Sequence, residues 1–173
     1  MNRQSELYRK AGEAFAPALA RLARAMERDS EKADDLEQEM HAALWASFAR
    51  FEEQCALKTW VYRVAHNVAA DHVAKAARGP KRVPLDQIGE LPSPTNPEQD
   101  AGRSMVMDQV QALILQLPFP DAQVMALWLE GESTRLIAEI TGLSTSAVGV
   151  RVHRLKQLLA AHFQDPSTKR DQS

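Results

Sequence analysis

The sequence predicts an all-α protein made of two small helical domains joined by a proline-rich linker. Three observations carry that expectation. Apolar residues recur at spacings of three and four on both sides of the chain's centre, no stretch sustains period-two alternation, and five of the nine prolines fall between residues 79 and 102. A length of 173 residues suits one domain, or two small ones that can each still fold alone. With 45% hydrophobic and 25% charged residues the composition is that of a globular chain.

The elements follow in order. Leu19, Leu22, Ala23 and Met26 share one face of a first helix, with Pro17 near its start or kinking it. Leu36, Met40, Ala43, Leu44 and Phe48 form the apolar face of a second, and Leu57, Val61, Val64 and Val68 that of a third. The segment GPKRVPLDQIGELPSPTNPEQD is extended linker, because proline lacks the N–H a helix needs and restricts the residue before it; Leu85, Ile88 and Leu91 could dock it. Met105 to Leu117 is a fourth helix that Pro118 and Pro120 end, and Asp121 caps a fifth over Ala122 to Leu129. The expected division is 1–78, 79–104, 105–165 and a polar tail 166–173.

Charges interrupt every apolar run before it reaches the ~18 residues a membrane span requires, so no membrane insertion is expected. The N-terminal MNRQSELYRKAGE lacks the apolar core of an export signal, which predicts a cytoplasmic protein. Cys55 is the single cysteine, excluding an intramolecular disulfide and a multi-cysteine zinc site. The histidines show no metal-ligand spacing and there is no glycine-rich phosphate loop, so no cofactor and no enzymatic activity are expected.

A formal net charge of −2 argues superficially against nucleic acid, yet the charges are segregated. Glu27, Asp29, Glu31, Asp34, Asp35, Glu37 and Glu39 stand against Arg28 and Lys32 in the second helix and its approach. Lys58, Arg63, Lys75, Arg78, Lys81 and Arg82 then stand against Asp71 alone, and Val83 to Gln109 is acidic again. From Ser144 to Gln164 the charged residues are Arg151, Arg154 and Lys156.

The C-terminal segment carries the pattern of a helix-turn-helix. Ser133 and Ser144 are good N-caps, Gly142 suits the left-handed turn between two helices, and Leu143 is apolar within that turn. Ile137, Ala138 and Ile140 line the inner side of the first helix, and Val148, Val152, Leu155 and Leu159 that of the second. Ser146, Gly149, Val150, His153, Arg154 and Gln157 are left on the face that would enter a major groove, with Arg151, Arg154 and Lys156 available to phosphates. In the N-terminal half, LKTWVYRVAHNVAADHVAKAARGPKR mixes cations with aromatics, a combination that holds single strands by phosphate neutralisation and base stacking. There Arg63, His66, Asn67 and Ala70 fall away from the apolar stripe, Trp60 borders it, and Tyr62 points away from it. Asp35, Gln38 and Glu39 share a polar stripe suited to a basic partner.

In order, ADDLEQEMHAALW, KTWVYRVAHNVAADH and LPFPDAQVMALWLEGESTRLIAEITGLSTSAVGVRVHRLKQLL resemble bacterial RNA polymerase sigma factors of the extracytoplasmic-function (ECF) group, which keep conserved regions 2 and 4. The resemblance implies that Asp35, Gln38 and Glu39 contact the clamp helices of core RNA polymerase. It implies that Lys58, Trp60, Tyr62, Arg63, His66, Asn67, Lys75 and Arg78 melt and hold the minus-ten element, Asn67 beside an everted base near the Ala49–Leu57 loop. Ser133, Arg135, Ser144, Thr145, Ser146, Gly149, Val150, Arg151, His153 and Arg154 would bind the minus-thirty-five element, with region 4 also on the polymerase flap. The linker would thread toward the active-site channel, an anti-sigma factor would be a further partner, and the polymerase alone would perform catalysis. The chain departs from the family at Gly149 and Val150, where a basic and a small polar residue are usual; Gly149 costs about 1 kcal/mol of helix propensity. Arg135 replaces a frequent acid and would add a backbone contact. Two other readings predict different outcomes. A stand-alone helix-turn-helix regulator with an N-terminal dimerisation or sensing domain would bind duplex without polymerase. A carboxylate-dependent hydrolase would need Asp35 and Glu39 buried as a pair.

Overall fold

The computed structural model describes residues 1–77 and 101–163, of which 101–104 as backbone alone. The linker expected at 79–104 therefore lies largely outside the described residues, as do Arg78 and the tail 166–173. Every regular element described is a helix: α1 (Arg3–Met26), α2 (Ser30–Phe48), α3 (Leu57–Ala76), α4 (Ala101–Gln116), α5 (Phe119–Leu129), α6 (Thr134–Thr141) and α7 (Thr145–Phe163).

Local chemistry sets the boundaries. Asn2 caps α1 by accepting from the Ser5 amide at 2.8 Å, and Asp29 caps α2 by accepting from the Lys32 amide at 3.1 Å. The first helix continues through Pro17, although proline removes the bond to the Glu13 carbonyl at a cost of about 3 kcal/mol. Burial of Ala18, Leu19, Leu22, Ala23, Ala25 and Met26 directly beyond it offsets that loss. Pro118 ends α4 and serves as the N-cap of α5, with Pro120 in the first turn, where its missing N–H would be unpaired anyway. Asp121 is inside α5 rather than capping it, because that helix already begins at Phe119.

In the N-terminal half, α1, α2 and α3 pack as a three-helix unit around Leu19, Leu22, Met26, Leu36, Met40, Leu44, Phe48 and Val61. In the C-terminal half, α4 to α7 enclose Leu113, Leu117, Val124, Leu127, Ile137, Val148 and Leu155. The two units also pack on each other, α1 against α4 and α5 and α3 against α5 and α6, so their buried side chains form one continuous cluster. Met40 is wholly buried while its neighbour Glu39 is exposed. Met40→Ala is expected to lower unfolding stability by about 2–5 kcal/mol in a urea titration. Glu39→Ala should stay within about 0.5 kcal/mol of the parent.

Candidate nucleic-acid and partner-protein interface

Helix α2 buries Ala33, Leu36, Met40, Leu44 and Phe48, and this register turns Asp35, Gln38 and Glu39 outward together. All three are exposed, so the buried carboxylate pair that a hydrolase reading requires is not formed. Among the described residues no cluster of His, Cys, Asp and Glu could hold a metal ion. What α2 offers is an open acidic stripe.

The α3 face differs from the expected one. The buried residues are Thr59, Val61, Tyr62, Ala65, His66 and Ala69, whereas Val64 and Val68 are half-buried. Tyr62 does not point away from the core but is 5% exposed, and His66 is not on an outer face but is 2% exposed. The physical reason is that α3 is covered on a second side by α5 and α6, which turns its polar flank inward. Burial pushes the His66 imidazole down to about 4. Burial, reinforced by the carboxylates of Glu130 and Glu132, pushes the Tyr62 phenol up to about 12. Trp60 is half-buried; its indole N–H donates to Ser47 Oγ at 2.9 Å and its ring centroid lies 5.1 Å from that of Phe51. Arg63, Asn67 and Lys75 are exposed.

The residues that cover α3 form a polar seam. Helix α5 ends in a Schellman motif, with Gly131 at φ 80°, its amide bonded to the Trp128 carbonyl at 3.0 Å and the Glu132 amide to the Leu127 carbonyl at 3.2 Å. That turn sends Glu130 and Glu132 to different partners. Glu130 accepts from Arg21 of α1 through both oxygens, at 2.6 and 2.8 Å, and Glu132 pairs with Lys58 of α3 at 3.1 Å. Arg63 Nε donates to the Glu139 carbonyl at 3.4 Å, and the Gln123 amide meets His66 Nδ1 at 3.4 Å. Between the two units lies a cavity of about 310 Å³, walled by Leu22, Val110, Ile114 and Leu127, with Arg21, Tyr62, His66 and Glu130 at its polar side. Sequence reasoning missed Arg21, Gln123, Glu130 and Glu132. A signal was available, since two acids at a helix C-terminus oppose the macrodipole and so require cations from elsewhere in the fold.

The helix-turn-helix forms as expected. Ser133 accepts from the Leu136 amide at 3.2 Å, Gly142 closes α6 at φ 76°, and Ser144 accepts from the Ala147 amide at 3.1 Å. Ile137, Ile140, Val148 and Leu155 are buried, which leaves Ser133, Arg135, Ser144, Thr145, Ser146, Gly149, Val150, His153 and Arg154 exposed. Arg151 is placed otherwise: it is half-buried and its Nη1 donates to Asp121 Oδ1 at 2.7 Å, tying α7 to α5. Lys156 sits 5.8 Å from the centroid of the Trp128 ring.

A family model described as Sigma-70 region 2 matches residues 13–79, and one described as Sigma-70, region 4 matches residues 107–159. The chain is 28% identical over 143 residues to the ECF RNA polymerase sigma factor SigM of Mycobacterium tuberculosis, covering 82% of this chain and 69% of that one. This chain belongs to the ECF group of sigma-70 factors. It is also 27% identical to the RNA polymerase sigma-H factor of Pseudomonas aeruginosa, over 79% of this chain and 75% of that one. Among solved structures, the sigma factor RpoE, in complex with the anti-sigma factor NepR from Bartonella quintana, shares the fold. Its TM-score is 0.66 at 20% identity, covering 95% of this chain and 98% of that chain. CnrH, in complex with the cytosolic domain of CnrY, has a TM-score of 0.59 at 21% identity, over 89% of this chain and 85% of that chain. In this sigma factor the α1–α3 unit thus carries region 2 and the α4–α7 unit carries region 4. No helix among the described residues is long and apolar enough to cross a membrane.

Burial of His66 at the seam predicts that docking of region 4 on region 2 weakens in acid. His66 faces Tyr62 on its own helix, Gln123 and Glu130 from α5 and Arg21 from α1. A docked imidazole titrates at about 4 and an undocked one near its ordinary value of about 6.5. Docking is therefore at full strength above about pH 6.5 and weakens about tenfold for each unit below it, until the docked imidazole itself takes up a proton. Energy transfer between dyes on α2 and α7 should hold above about pH 6.5 and fall as the pH drops from there toward about 4. His66→Gln should flatten that response.

Proposed function

We propose that this sigma factor binds core RNA polymerase through the acidic stripe of α2, with Asp35, Gln38 and Glu39 on the clamp helices and region 4 on the flap. The α3 set of Lys58, Trp60, Tyr62, Arg63, His66, Asn67 and Lys75, with Arg78, serves the minus-ten element and strand opening. The α6–α7 face serves the minus-thirty-five element. The working division is region 2 over 1–78, linker over 79–104, region 4 over 105–165 and a tail over 166–173. The chain contributes no catalysis of its own, acts in the cytoplasm and joins the nucleoid as part of the holoenzyme. A partner of the anti-sigma kind, as RpoE has in its complex with NepR, fits the same reading.

The observation that carries this reading is that regions 2 and 4 occur in order on one chain, each with an open face of the appropriate charge. The α2 face is acidic and meets a protein, while the outer face of α7 is free of acid and meets DNA. Run-off transcription with purified core polymerase tests it. Asp35→Ala combined with Glu39→Ala should weaken co-elution with core by about tenfold or more, the scale for removing two charges from the centre of one interface. A chain that never co-elutes with core, yet binds duplex specifically by itself, would instead be a stand-alone regulator.

The docked arrangement bears on when the minus-ten set is available. Tyr62 and His66 lie beneath region 4 and Lys58 is held by Glu132, so undocking precedes full contact with the non-template strand. Glu130→Gln with Glu132→Gln removes both cross-unit carboxylates. This pair should raise the free protein's affinity for a single-stranded minus-ten oligonucleotide about three- to tenfold in fluorescence anisotropy, the scale of two partly exposed ion pairs. Its far-UV spectrum should be unchanged.

A further inference from the structure

We propose that Val150 is a base-reading residue of the recognition helix and that it selects thymine through the 5-methyl group. The inference rests on the reading of α7 as the helix that enters the minus-thirty-five major groove. Val148 and Leu155 are buried, Arg151 is bound to Asp121, and Lys156 sits beside the Trp128 ring. The outward row that remains is Ser146, Gly149, Val150, His153, Arg154 and Gln157, whose spacing of three and four places them on one face. Val150 is at the middle of that row and 52% exposed, although it is an aliphatic side chain on a helix with ample apolar surface inside.

A valine at that position has a narrow range of partners in a DNA groove. It can neither donate nor accept a hydrogen bond, and the major-groove edges of adenine, guanine and cytosine present polar atoms that would lose their water against it. Thymine alone presents a methyl group there, and apolar contact with that methyl is one of the regular ways a side chain reads a base. DNA is the occupant that charge favours, since Arg154 and Lys156 are exposed on α7 and no acid lies between Ser144 and Gln164. Gly149 strengthens the case, because a Cβ there would meet nothing within 4 Å in the protein. The backbone beside Val150 is bare, and the helix can approach the base edges closely at that point.

The position of the thymine follows from helix geometry. Val150 and Arg154 are one turn apart, about 6 Å along the axis, so the thymine lies within about two base-pair steps of the base that depends on Arg154.

The test uses holoenzyme assembled from core polymerase and the full chain. Duplexes are selected from a random library, each thymine of the selected upstream element is replaced in turn by uracil, which lacks only the methyl group, and affinities are compared. For the parent, one replacement should weaken binding about fourfold, the fold-change for one methyl group removed from an apolar contact. For holoenzyme carrying Val150→Ala or Val150→Ser that replacement should matter less than about twofold, while thymines elsewhere in the element keep their sensitivity. Val150 is exposed, so neither variant disturbs the core. Equal uracil sensitivity in parent and variants, or a uniform loss on all duplexes, overturns the inference and leaves the sigma-factor reading standing. Failure of the parent holoenzyme to select any upstream element overturns both.

Discussion

Helix α3 has to satisfy partners on two sides with twenty residues, and much of the structure follows from that constraint. One side completes the three-helix unit with α1 and α2, and the other receives α5 and α6. A single amphipathic stripe cannot serve both, so Val61, Ala65 and Ala69 fill the first contact while Tyr62 and His66 are drawn into the second. An aromatic ring and an imidazole suit that role, because each has an apolar body with one polar handle. Both side chains are buried in the docked chain, and the Gln123 amide from α5 reaches the His66 ring.

The Glu130–Gly131–Glu132 turn is the counterpart of that constraint. Two carboxylates at the C-terminus of α5 oppose the helix dipole, and Arg21 and Lys58 from two other helices supply what the local structure withholds. The two cations keep access to water while Glu130 and Glu132 are largely covered, so each pair is partly screened by solvent. His66 adds a proton-linked element to the same seam. The seam thus combines these polar contacts with the continuous apolar cluster that joins the two units.

Region 4 divides its basic residues between holding the fold and facing outward. Arg151 bridges to Asp121 and Lys156 lies against Trp128, so both help fix α7 on α5, whereas Arg154 and Arg135 remain in solvent. The exposed row therefore carries less charge than a count of cations implies, and its centre is a valine beside a glycine. On the proposed DNA-binding reading, recognition by such a face would draw on shape and apolar contact as well as on hydrogen bonds.

The sequence by itself determined the helices and most of their inner faces. Leu36, Met40, Leu44 and Phe48 in α2, and Ile137, Val148 and Leu155 in the helix-turn-helix, are buried as their spacing requires. The caps at Ser133 and Ser144 and the left-handed Gly142 were equally legible, because each depends on residues within one turn. The outward acidic stripe of α2 followed from the same local periodicity. Tertiary structure alone decided the second buried side of α3, the partners of Glu130 and Glu132, and the withdrawal of Arg151 from the outer face. Those outcomes join residues 30 to 109 positions apart, and no local spacing encodes which helix a polar flank will meet. A chain writes its periodicity into each helix, but the docking of one helix on another is settled by the summed burial and charge of both.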